Sequence, residues 1–444
     1  MPSITRLTRI KWTKSKIILG FIAVSFISLV MLLFMVDVTS KIAVSNEGRK
    51  KSALSIFTDR NYSVLRSISG QISSYQKNSS HLKRTIPLPT CIHPVIISNA
   101  SAARLRPDVS FVTLDEVCWQ TFGDNMSTVG KMSRLSNKLL GEMNVTAVSE
   151  ERNQTADEVF HDLGLMIDVE GYIYLPGGHW KPIDCDPKWK VAFVVPFRDR
   201  IDHLAIFLRH MIPILQLQKL EFSIFIVEQN NNMSFNRAML LNVGFLEALK
   251  LTRYDCYVFH DVDHLALNAN NYYGCDSMPR HFISGDDYWD YRILYDSLFG
   301  GVTGLTTSQM RHVNGFSNMY WGWGAEDDDI YKRVLAKGYF RSRPEGPVGY
   351  YDTIHHDHTI TSASPELLCL LEHSFERTED DGLNSITYQE PDIELTPLFT
   401  KISVDIRKQA WKEKWTKCDP LPFANQNHEN DGNHGSEQNG NEMV

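Results

Sequence analysis

The amino-acid sequence predicts an α/β domain with a mostly parallel sheet and helices on both faces, preceded by one transmembrane helix. Two observations carry this prediction. The first is an apolar run over residues 17–36 that no charged residue interrupts. The second is an alternation of buried-strand and helical patterns between residues 191 and 259, which is typical of sheets covered by helices.

The transmembrane prediction rests on the length of the apolar run and on the charges before it. A helix of about 20 residues rises about 30 Å, which is the thickness of the hydrocarbon core of a bilayer. The residues before this run contain no acidic side chain. They contain five basic ones: Arg6, Arg9, Lys11, Lys14 and Lys16. This bias predicts a cytoplasmic tail over residues 1–16 and a luminal location for everything after the helix. A cleaved signal peptide would have a shorter apolar region, so we expect an uncleaved anchor.

Two further segments have the composition of poorly ordered chain. Residues 37–87 are rich in Ser, Asn, Lys and Arg and predict a stem, and residues 419–444 predict a disordered tail. The intervening residues 88–418 are long enough to bury a substantial core. The chain has 53 acidic and 45 basic residues and a net charge of −8, so it offers no basic footprint for nucleic acid.

A luminal domain is expected to show secretory-pathway chemistry. Triplets for N-glycosylation crowd ahead of the predicted sheet and recur once inside it, at Asn61, Asn78, Asn99, Asn125, Asn144, Asn153 and Asn232. The chain has 7 cysteines, so disulfides are expected and one cysteine must stay free or pair between chains. No CxxC spacing occurs, which disfavours a structural zinc site.

The first strand and helix of the sheet are the clearest elements. Residues 191–195 are a short apolar run, which predicts a strand buried on both faces that Pro196 ends. A loop over residues 196–200 follows. Apolar residues then recur at helical spacing over residues 204–215, where Pro213 is expected to kink or shorten the end of the helix.

Two more strands and one helix complete the alternation. We expect a strand over residues 222–227, a helix over residues 236–249 and a strand over residues 256–259. In a parallel sheet, ligands bind beyond the carboxyl ends of the strands. The loop after the first strand and the segment Asp261-Val262-Asp263 after the third both lie there.

Acidic and basic groups at this edge suggest an anionic ligand held with a metal ion. Asp261 and Asp263 can ligate a hard divalent cation, although an Asp-x-Asp triplet is more often a solvated turn. Arg198, Arg200 and Arg237 follow the first two strands and can bind a diphosphate by charge-assisted hydrogen bonds. Each arginine alone reads as a surface charge, but the set favours an anionic ligand.

Two other stretches are unusual. Residues 321–329 read Trp-Gly-Trp-Gly-Ala-Glu-Asp-Asp-Asp, in which two indoles can form a sugar-stacking wall and a carboxylate can act as a general base. The alternatives are an acidic helix N-terminus and tryptophans that fill the core. His355, His356 and His358 can complete a metal shell with Asp263, although histidine runs on surfaces are common.

Seven motifs together resemble the beta-1,4-galactosyltransferase family. They lie at residues 193–200 (FVVPFRDR), 235–245 (FNRAMLLNVGF), 256–263 (CYVFHDVD), 299–302 (FGGV), 313–316 (VNGF), 320–330 (YWGWGAEDDDI) and 381–388 (DGLNSITY). The resemblance implies a Golgi type II membrane enzyme with the GT-A nucleotide-sugar glycosyltransferase fold. Such an enzyme uses Mn²⁺ and a UDP-sugar and inverts the anomeric centre.

The resemblance also implies a role for individual residues of this chain. The UDP-sugar site would comprise Pro196, Phe197, Arg198, Arg200, Phe235, Arg237, Asp261, Val262, Leu298 and Trp323. The acceptor would contact Gly324, Glu326 and Asp328, and Asp327 would be the base that takes the proton from the acceptor 4-hydroxyl. The metal would be held by Asp263 and His356, with His358 as a substitute ligand. Disulfides would join Cys91 to Cys185 and Cys256 to Cys275.

The chain departs from the family pattern at informative positions. Thr353 stands where the family has a methionine ligand, so the metal preference is expected to shift away from Mn²⁺, because a hydroxyl is a harder and weaker ligand. Ala325 replaces a glycine, and residues 367–371 match the family's acceptor segment poorly. Leu298 stands where galactosyl-transferring members have a tyrosine, which opens room for an N-acetyl group; a leucine there can also be simple core packing.

These observations lead to one expected function and several competitors. The expected reaction moves GalNAc from UDP-GalNAc to the 4-hydroxyl of terminal GlcNAc on glycoproteins or glycolipids, in a beta-1,4 linkage. UDP-Gal is the alternative donor. Transfer of galactose to xylose and an inactive membrane-anchored lectin are weaker competitors, and a homo- or hetero-oligomer stays open.

Overall fold

The computed structural model describes residues 88–91, 104–142, 156–355, 362–408 and Cys418. The predicted cytoplasmic tail, anchor helix, stem and C-terminal tail lie outside these residues, and the domain boundaries stay predictions. Among the described helices, none combines the length and the apolar character needed to span a bilayer. Two of the predicted glycosylation sites, Asn125 and Asn232, fall on described residues, and both are exposed.

The described chain alternates helices with two sheets. The α-helices are α1 Leu114–Phe122, α2 Met126–Glu142, α3 Ala156–Asp162, α4 Ile201–Leu217, α5 Arg237–Leu251, α6 Thr307–His312, α7 Glu326–Ala336, α8 Pro365–Glu372 and α9 Ser374–Arg377. The strands are β1 Ile167–Val169, β2 Tyr172–Leu175, β3 His179–Pro182, β4 Lys190–Phe197, β5 Glu221–Gln229, β6 Cys256–His260, β7 His264–Ala266, β8 Arg280–His281, β9 Gly285–Asp286, β10 Val302–Thr306, β11 Tyr350–Thr353, β12 Asp392–Leu395 and β13 Thr400–Val404.

The larger sheet is mixed, so the expectation of a mostly parallel sheet is wrong. Strand β4 pairs in parallel with β5 and β6, as the alternation predicts, and β13 adds to β5 in parallel. Around them β1, β2 and β3 form an antiparallel meander, and β10 and β8 extend the other edge antiparallel. These edge strands are only 2–5 residues long, too short for a periodicity that the sequence could reveal. A second sheet joins β7, β11 and β9.

Helices cover both faces of the larger sheet, which confirms that part of the prediction. In β4, Val191, Phe193 and Val195 point into one apolar cluster, together with the buried face of α4. Ala192 and Val194 point into the other cluster, with α5. Because successive side chains of a strand face opposite ways, both faces of β4 are buried, and the strand therefore reads as a continuous apolar run.

Both prolines expected to interrupt elements lie inside them. Strand β4 continues through Pro196, where a residue without an N–H is tolerated because β6 pairs with β4 only as far as Val194. Helix α4 continues through Pro213 to Leu217. Ile212 and Ile214 on either side of this proline are buried, and their packing offsets the lost backbone hydrogen bond.

The structure contains both disulfides that the resemblance implies, Cys91 with Cys185 and Cys256 with Cys275. It adds a third between Cys369 and Cys418. Cys118 is the one free cysteine among the described residues, and it is buried. The odd cysteine is therefore enclosed in the core, where a link to a second chain is sterically blocked.

Candidate functional site

The site forms where β4, β5 and β6 end. Asp261, Val262 and Asp263 directly follow β6, as predicted. Strand β10 lies antiparallel to β6, and the Asp261 N–H donates to the Gly301 carbonyl at 3.0 Å. This pairing brings the Phe-Gly-Gly motif beside the Asp-Val-Asp segment, although the two are about 40 residues apart in the sequence.

Arg237 joins two of the predicted site segments. Its Nε donates to Asp261 Oδ1 at 2.6 Å, and its Nη1 lies 3.4 Å from Glu326 Oε1. The side chain is only 15% exposed, and Asn236 caps the helix beneath it by accepting from the Met239 N–H. A buried guanidinium between two carboxylates is held in one orientation, so it can present its remaining N–H groups to an anionic ligand.

The other predicted donor-site residues form the adjoining wall. Arg198 donates from Nη1 to the Met233 carbonyl at 2.7 Å and lies over the Phe235 ring at 5.2 Å. Phe235 in turn accepts at its carbonyl from the Gly322 N–H at 2.8 Å. Arg200 lies at the N-cap of α4. Arg198 therefore lies against the residues that lead into Arg237, and the binding of an anionic ligand by these arginines stays a prediction.

Three predicted residues are less open than the sequence suggested. Pro196 and Phe197 lie in strand β4 and not in a loop, and both are buried. Val262 is also buried, at 8% exposure. These side chains support the floor of the site, where β4 and β6 end.

The glycine-rich turn before α7 separates the two tryptophans. Gly322 and Gly324 have φ of 106° and 99°, and Ala325 is left-handed at 75°. Trp321 packs against the core, whereas Trp323 is 49% exposed. Trp321 is half-buried and Trp323 is the more exposed indole, so the expected wall of two indoles stays a prediction, with Trp323 offering the more open face.

The carboxylates after this turn form the first turn of α7, so the acidic-helix alternative is confirmed. Burial and the neighbouring Asp327 raise the pKa of Glu326 to about 7. Burial raises the pKa of Asp327 as well, against the opposing attraction of Arg237. Burial and the Asp327 charge raise the pKa of Asp328 to about 6. Three acids with elevated pKa values at one helix start are typical of a proton-transfer site.

One oxygen of this cluster lacks a partner. Glu326 Oε2 is buried and has no hydrogen-bond partner among the described residues. A buried acceptor left unpaired is unfavourable, so the site is built to receive a donor such as a hydroxyl group from a ligand. Asp328 Oδ1 accepts from the Tyr295 hydroxyl at 3.0 Å, a contact that the sequence gave no means of finding.

Asp327 faces the backbone of the Phe-Gly-Gly motif. A Cβ atom added to Gly300 would lie 3.1 Å from Asp327 Cγ and would overlap Oδ2. The carboxylate therefore abuts Gly300 directly, and only a glycine leaves room for it there. Leu298, two residues earlier, is half-buried. The predicted base and the predicted donor-sugar residue thus belong to one small region.

A buried ionic network fixes α7 from below. Asp329 pairs with Arg333 at 2.5 Å and with Arg377 at 2.6 Å, and Arg377 also pairs with Asp381 at 2.6 Å. Tyr320 donates to Asp329 Oδ2 at 2.8 Å. Side chains held this way cannot rotate freely, so the first turn of α7 is anchored to α9 and to the segment before the glycine-rich turn.

The predicted metal site is described only in part. Asp263 Oδ1 lies 2.9 Å from His264 Nδ1, and the Ile354 N–H donates to the Asp263 carbonyl at 2.8 Å. His356 and His358 lie outside the described residues. Thr353 donates its hydroxyl to Asp286 Oδ2 at 2.8 Å. His355 contacts Asp287 at 3.1 Å. Ile354, the residue after β11, therefore bonds to Asp263, and His356 follows two positions later in the sequence. A carboxylate together with an imidazole is a donor set that fits a divalent cation.

Comparisons with known proteins place the chain beside one family. The family model described as the N-terminal region of glycosyl transferase group 7 matches residues 134–276, and the one described as the N-terminal domain of galactosyltransferase matches residues 280–357. Human beta-1,4-galactosyltransferase 6 is 49% identical over 250 residues, 56% of this chain and 64% of the relative. Zebrafish (Danio rerio) beta-1,4-galactosyltransferase 5 is 50% identical over 232 residues, 52% of this chain and 61% of the relative.

Solved structures are similar as well. The catalytic domain of Drosophila beta-1,4-galactosyltransferase 7 in complex with xylobiose is 31% identical, with a TM-score of 0.44, over 52% of this chain and 98% of that one. The chain spans less than two thirds of the length of the curated relatives that it matches first. The two family models adjoin along the sequence and the curated relatives share one family name, so the chain belongs to the beta-1,4-galactosyltransferase family.

Proposed function

We propose that the chain is an inverting GT-A glycosyltransferase that moves galactose from UDP-Gal to the 4-hydroxyl of a terminal GlcNAc. The observation that carries the proposal is the position of Asp327. Its carboxylate is half-buried at the start of α7, directly against Gly300, and desolvation raises its pKa. A carboxylate with an elevated pKa in a site rich in sugar-binding groups is suited to general-base catalysis.

In the proposed reaction Asp327 takes the proton from the acceptor hydroxyl. The acceptor oxygen attacks the anomeric carbon as the bond from that carbon to the UDP oxygen breaks, so the configuration inverts and UDP leaves. Trp323 supplies a stacking face for the acceptor ring, and Glu326 Oε2 accepts a hydrogen bond from a sugar hydroxyl. Arg237 fixes Glu326 and Asp261 in place while these groups act.

A divalent cation, with Mn²⁺ as the family expectation, would be held by Asp263 together with His356 or His358. Bound there, it would neutralise the negative charge that develops on the departing diphosphate. Thr353 contributes to this region by fixing Asp286, because its hydroxyl is already donated to that carboxylate. The proposed ligand set therefore consists of carboxylate and imidazole, without a thioether.

The donor sugar is the finer part of the proposal. Relatives that are 49–52% identical are named galactosyltransferases, and this favours UDP-Gal. UDP-GalNAc remains the second candidate because Leu298, aliphatic and half-buried, stands where the family resemblance places a tyrosine. A single change of pocket shape discriminates by about 1–3 kcal/mol, so both donors deserve measurement.

We also propose that the domain is luminal and that residues 17–36 anchor it in the Golgi membrane as a single-pass type II protein. The charge bias before the apolar run and the exposed positions of Asn125 and Asn232 support this topology. Glycosidase treatment of the expressed full-length chain tests it. A mobility shift that becomes smaller in an Asn125→Gln, Asn232→Gln double variant is expected, and protease protection of the C-terminal domain in sealed vesicles must accompany it.

The activity is tested with the full-length chain, a GlcNAc-terminated acceptor, Mn²⁺ and either UDP-Gal or UDP-GalNAc. Asp327→Asn is expected to lower kcat by at least 100-fold while UDP binding is retained, because the amide cannot take a proton. Asp115→Asn is the matched control, since Asp115 lies in the first turn of α1 and is exposed. Full turnover by Asp327→Asn would remove it as the base. Binding of UDP without transfer by the wild type would favour the lectin alternative.

A further inference from the structure

The segment that carries Leu298 and Gly300 has little regular structure of its own. It runs from the exposed Tyr295 to the start of β10 at Val302 and lies in neither a helix nor a strand. The Leu298 N–H donates to the Tyr295 carbonyl at 3.1 Å, and the Val302 N–H donates to the Gly300 carbonyl at 2.8 Å. Two local turns alone leave such a segment mobile, so its position must depend on contacts from elsewhere.

Besides the bond from the Asp261 N–H to the Gly301 carbonyl and the burial of Phe299, two side chains from other elements contact this segment. Arg343 Nη2 donates to the Leu298 carbonyl at 2.6 Å, and Arg343 Nε donates to His281 Nδ1 at 2.9 Å. His281 Nε2 in turn lies 2.9 Å from the Gly300 carbonyl. Arg343 and His281 therefore bind the two carbonyl groups on either side of Phe299 and also bind each other.

The direction of each hydrogen bond follows from the chemistry of the groups. A guanidinium can only donate, so His281 Nδ1 must be an acceptor and the ring proton must be on Nε2. Nε2–H then donates to the Gly300 carbonyl. Burial and the adjacent Arg343 lower the pKa of His281 to about 3, which keeps the ring neutral and this tautomer in place.

The pair itself rests on regular structure. His281 belongs to β8, which pairs with β10, and its N–H donates to the Ser342 carbonyl at 2.8 Å. The Ser342 N–H donates to the Pro279 carbonyl at 2.8 Å. Backbone bonds on both sides of Ser342 thus fix Arg343 relative to β8, and the pair can transmit the rigidity of the sheet to the Leu298–Gly300 carbonyls.

We propose that Arg343 and His281 are positioning residues that set the donor-sugar selectivity by holding the segment of Leu298 and Gly300 against Asp327. The inference rests on the proposed function, in which Leu298 borders the donor sugar. Neither side chain is assigned to touch the substrate. Their effect comes through the backbone, because a shift of the two carbonyls moves the Leu298 side chain and the Gly300 surface together.

The test uses substitutions at His281 that divide its two hydrogen bonds. His281→Asn keeps an acceptor for Arg343 but is too short to reach Gly300, whereas His281→Gln can reach Gly300 but offers Arg343 no acceptor at the Nδ1 position. Arg343→Lys keeps the charge and loses the fork that binds two partners. His210→Asn is the matched control, because His210 Nε2 also contacts a backbone carbonyl, that of Ala266, at 2.8 Å in another region.

Three quantities are measured for each full-length protein: the ratio of kcat/KM for UDP-Gal to that for UDP-GalNAc, the Kd of UDP alone, and amide exchange of residues 296–302. We expect His281→Asn and Arg343→Lys to change the donor ratio by roughly 5- to 10-fold. We expect faster exchange at Leu298 and Val302 and an unchanged Kd for UDP. His210→Asn is expected to lower Tm without changing the donor ratio.

The outcomes separate this inference from the function on which it rests. If the wild type transfers sugar but the variants keep its donor ratio within twofold, the inference is refuted alone. An equal loss with both donors, together with weaker UDP binding, would indicate a general folding role and would also refute it. No transfer by the wild type from either donor would refute the proposed function and, with it, the role in selectivity.

Discussion

Substitution of Gly300 by alanine tests the placement of Asp327 without touching its carboxylate. Gly300 is not among the residues with positive φ, so alanine can adopt its backbone conformation without strain. The three nearest atoms that the new methyl group would meet all belong to Asp327. Gly300→Ala therefore displaces the proposed base and leaves its chemical identity intact.

The expected magnitude follows from the displacement. The added Cβ would lie 3.1 Å from Asp327 Cγ and 3.3 Å from its Cβ, while ordinary contact begins at 3.4 Å and Oδ2 lies closer still. The carboxylate must therefore retreat by about 1 Å, which typically costs on the order of 100-fold in rate. This loss corresponds to about 2.7 kcal/mol of activation free energy.

The assay is steady-state turnover together with UDP binding and thermal unfolding. We expect kcat to fall by about 100-fold while the Kd of UDP and the Tm stay close to the wild-type values. Gly141→Ala is the control, because a Cβ at this exposed position of α2 meets nothing within 4 Å. That variant should be slightly stabilised and fully active. A Gly300→Ala enzyme with wild-type kcat would show that Asp327 does not need its position against Gly300.

Three further predictions concern stability. Arg377→Met leaves the buried Asp329 without one of its two arginine partners and is expected to lower the free energy of unfolding by about 3–5 kcal/mol in urea titrations. Cys418→Ser opens a disulfide that spans 49 residues and should cost roughly 4 kcal/mol in the same titration, less under reducing conditions. Burial opposes the Glu221 charge, but the hydrogen bond from His179 and the positive charges of Lys190, His179 and Lys181 together outweigh it and lower the pKa of Glu221 to about 2. Glu221→Gln should therefore destabilise the fold by roughly 3 kcal/mol above pH 4.5, and the difference should vanish as pH falls towards 2 in pH-dependent thermal melts.

The parts of the fold that the sequence predicts are those with a continuous apolar signal. Strands β4, β5 and β6 are buried on both faces, so each reads as an apolar run bounded by polar residues. The meander of β1, β2 and β3 mixes polar and apolar residues over 3–4 positions and gives no such signal. The expectation that Pro196 ends a strand and that Pro213 shortens a helix is wrong, because tertiary packing overrides a local preference.

The residues of the candidate site likewise fall into those that the sequence predicts and those that it does not. Asp261, Arg237 and Glu326 carry charges at the ends of recognisable elements, so their convergence can be predicted from the strand order. His281 and Arg343 are 62 residues apart, and neither stands in a motif or at a strand end that faces the site. Their contact depends on the pairing of β8 with the chain at Ser342. Strand β8 has only two residues, and no sequence pattern predicts it.

The contrast between Asp327 and Asp329 explains why one short helix start can serve both chemistry and stability. Both carboxylates lie on the same turn of α7, where Asp329 is fully buried and Asp327 is half-buried. Two arginines pair with Asp329, and although burial opposes its charge, their attraction lowers its pKa. Arg237 and backbone N–H groups favour the Asp327 charge, but no arginine forms an ion pair with it among the described residues, so burial prevails and its pKa rises. Ion pairs thus anchor the helix at Asp329, while Asp327 two residues earlier keeps the basicity that the proposed proton transfer from a sugar hydroxyl requires.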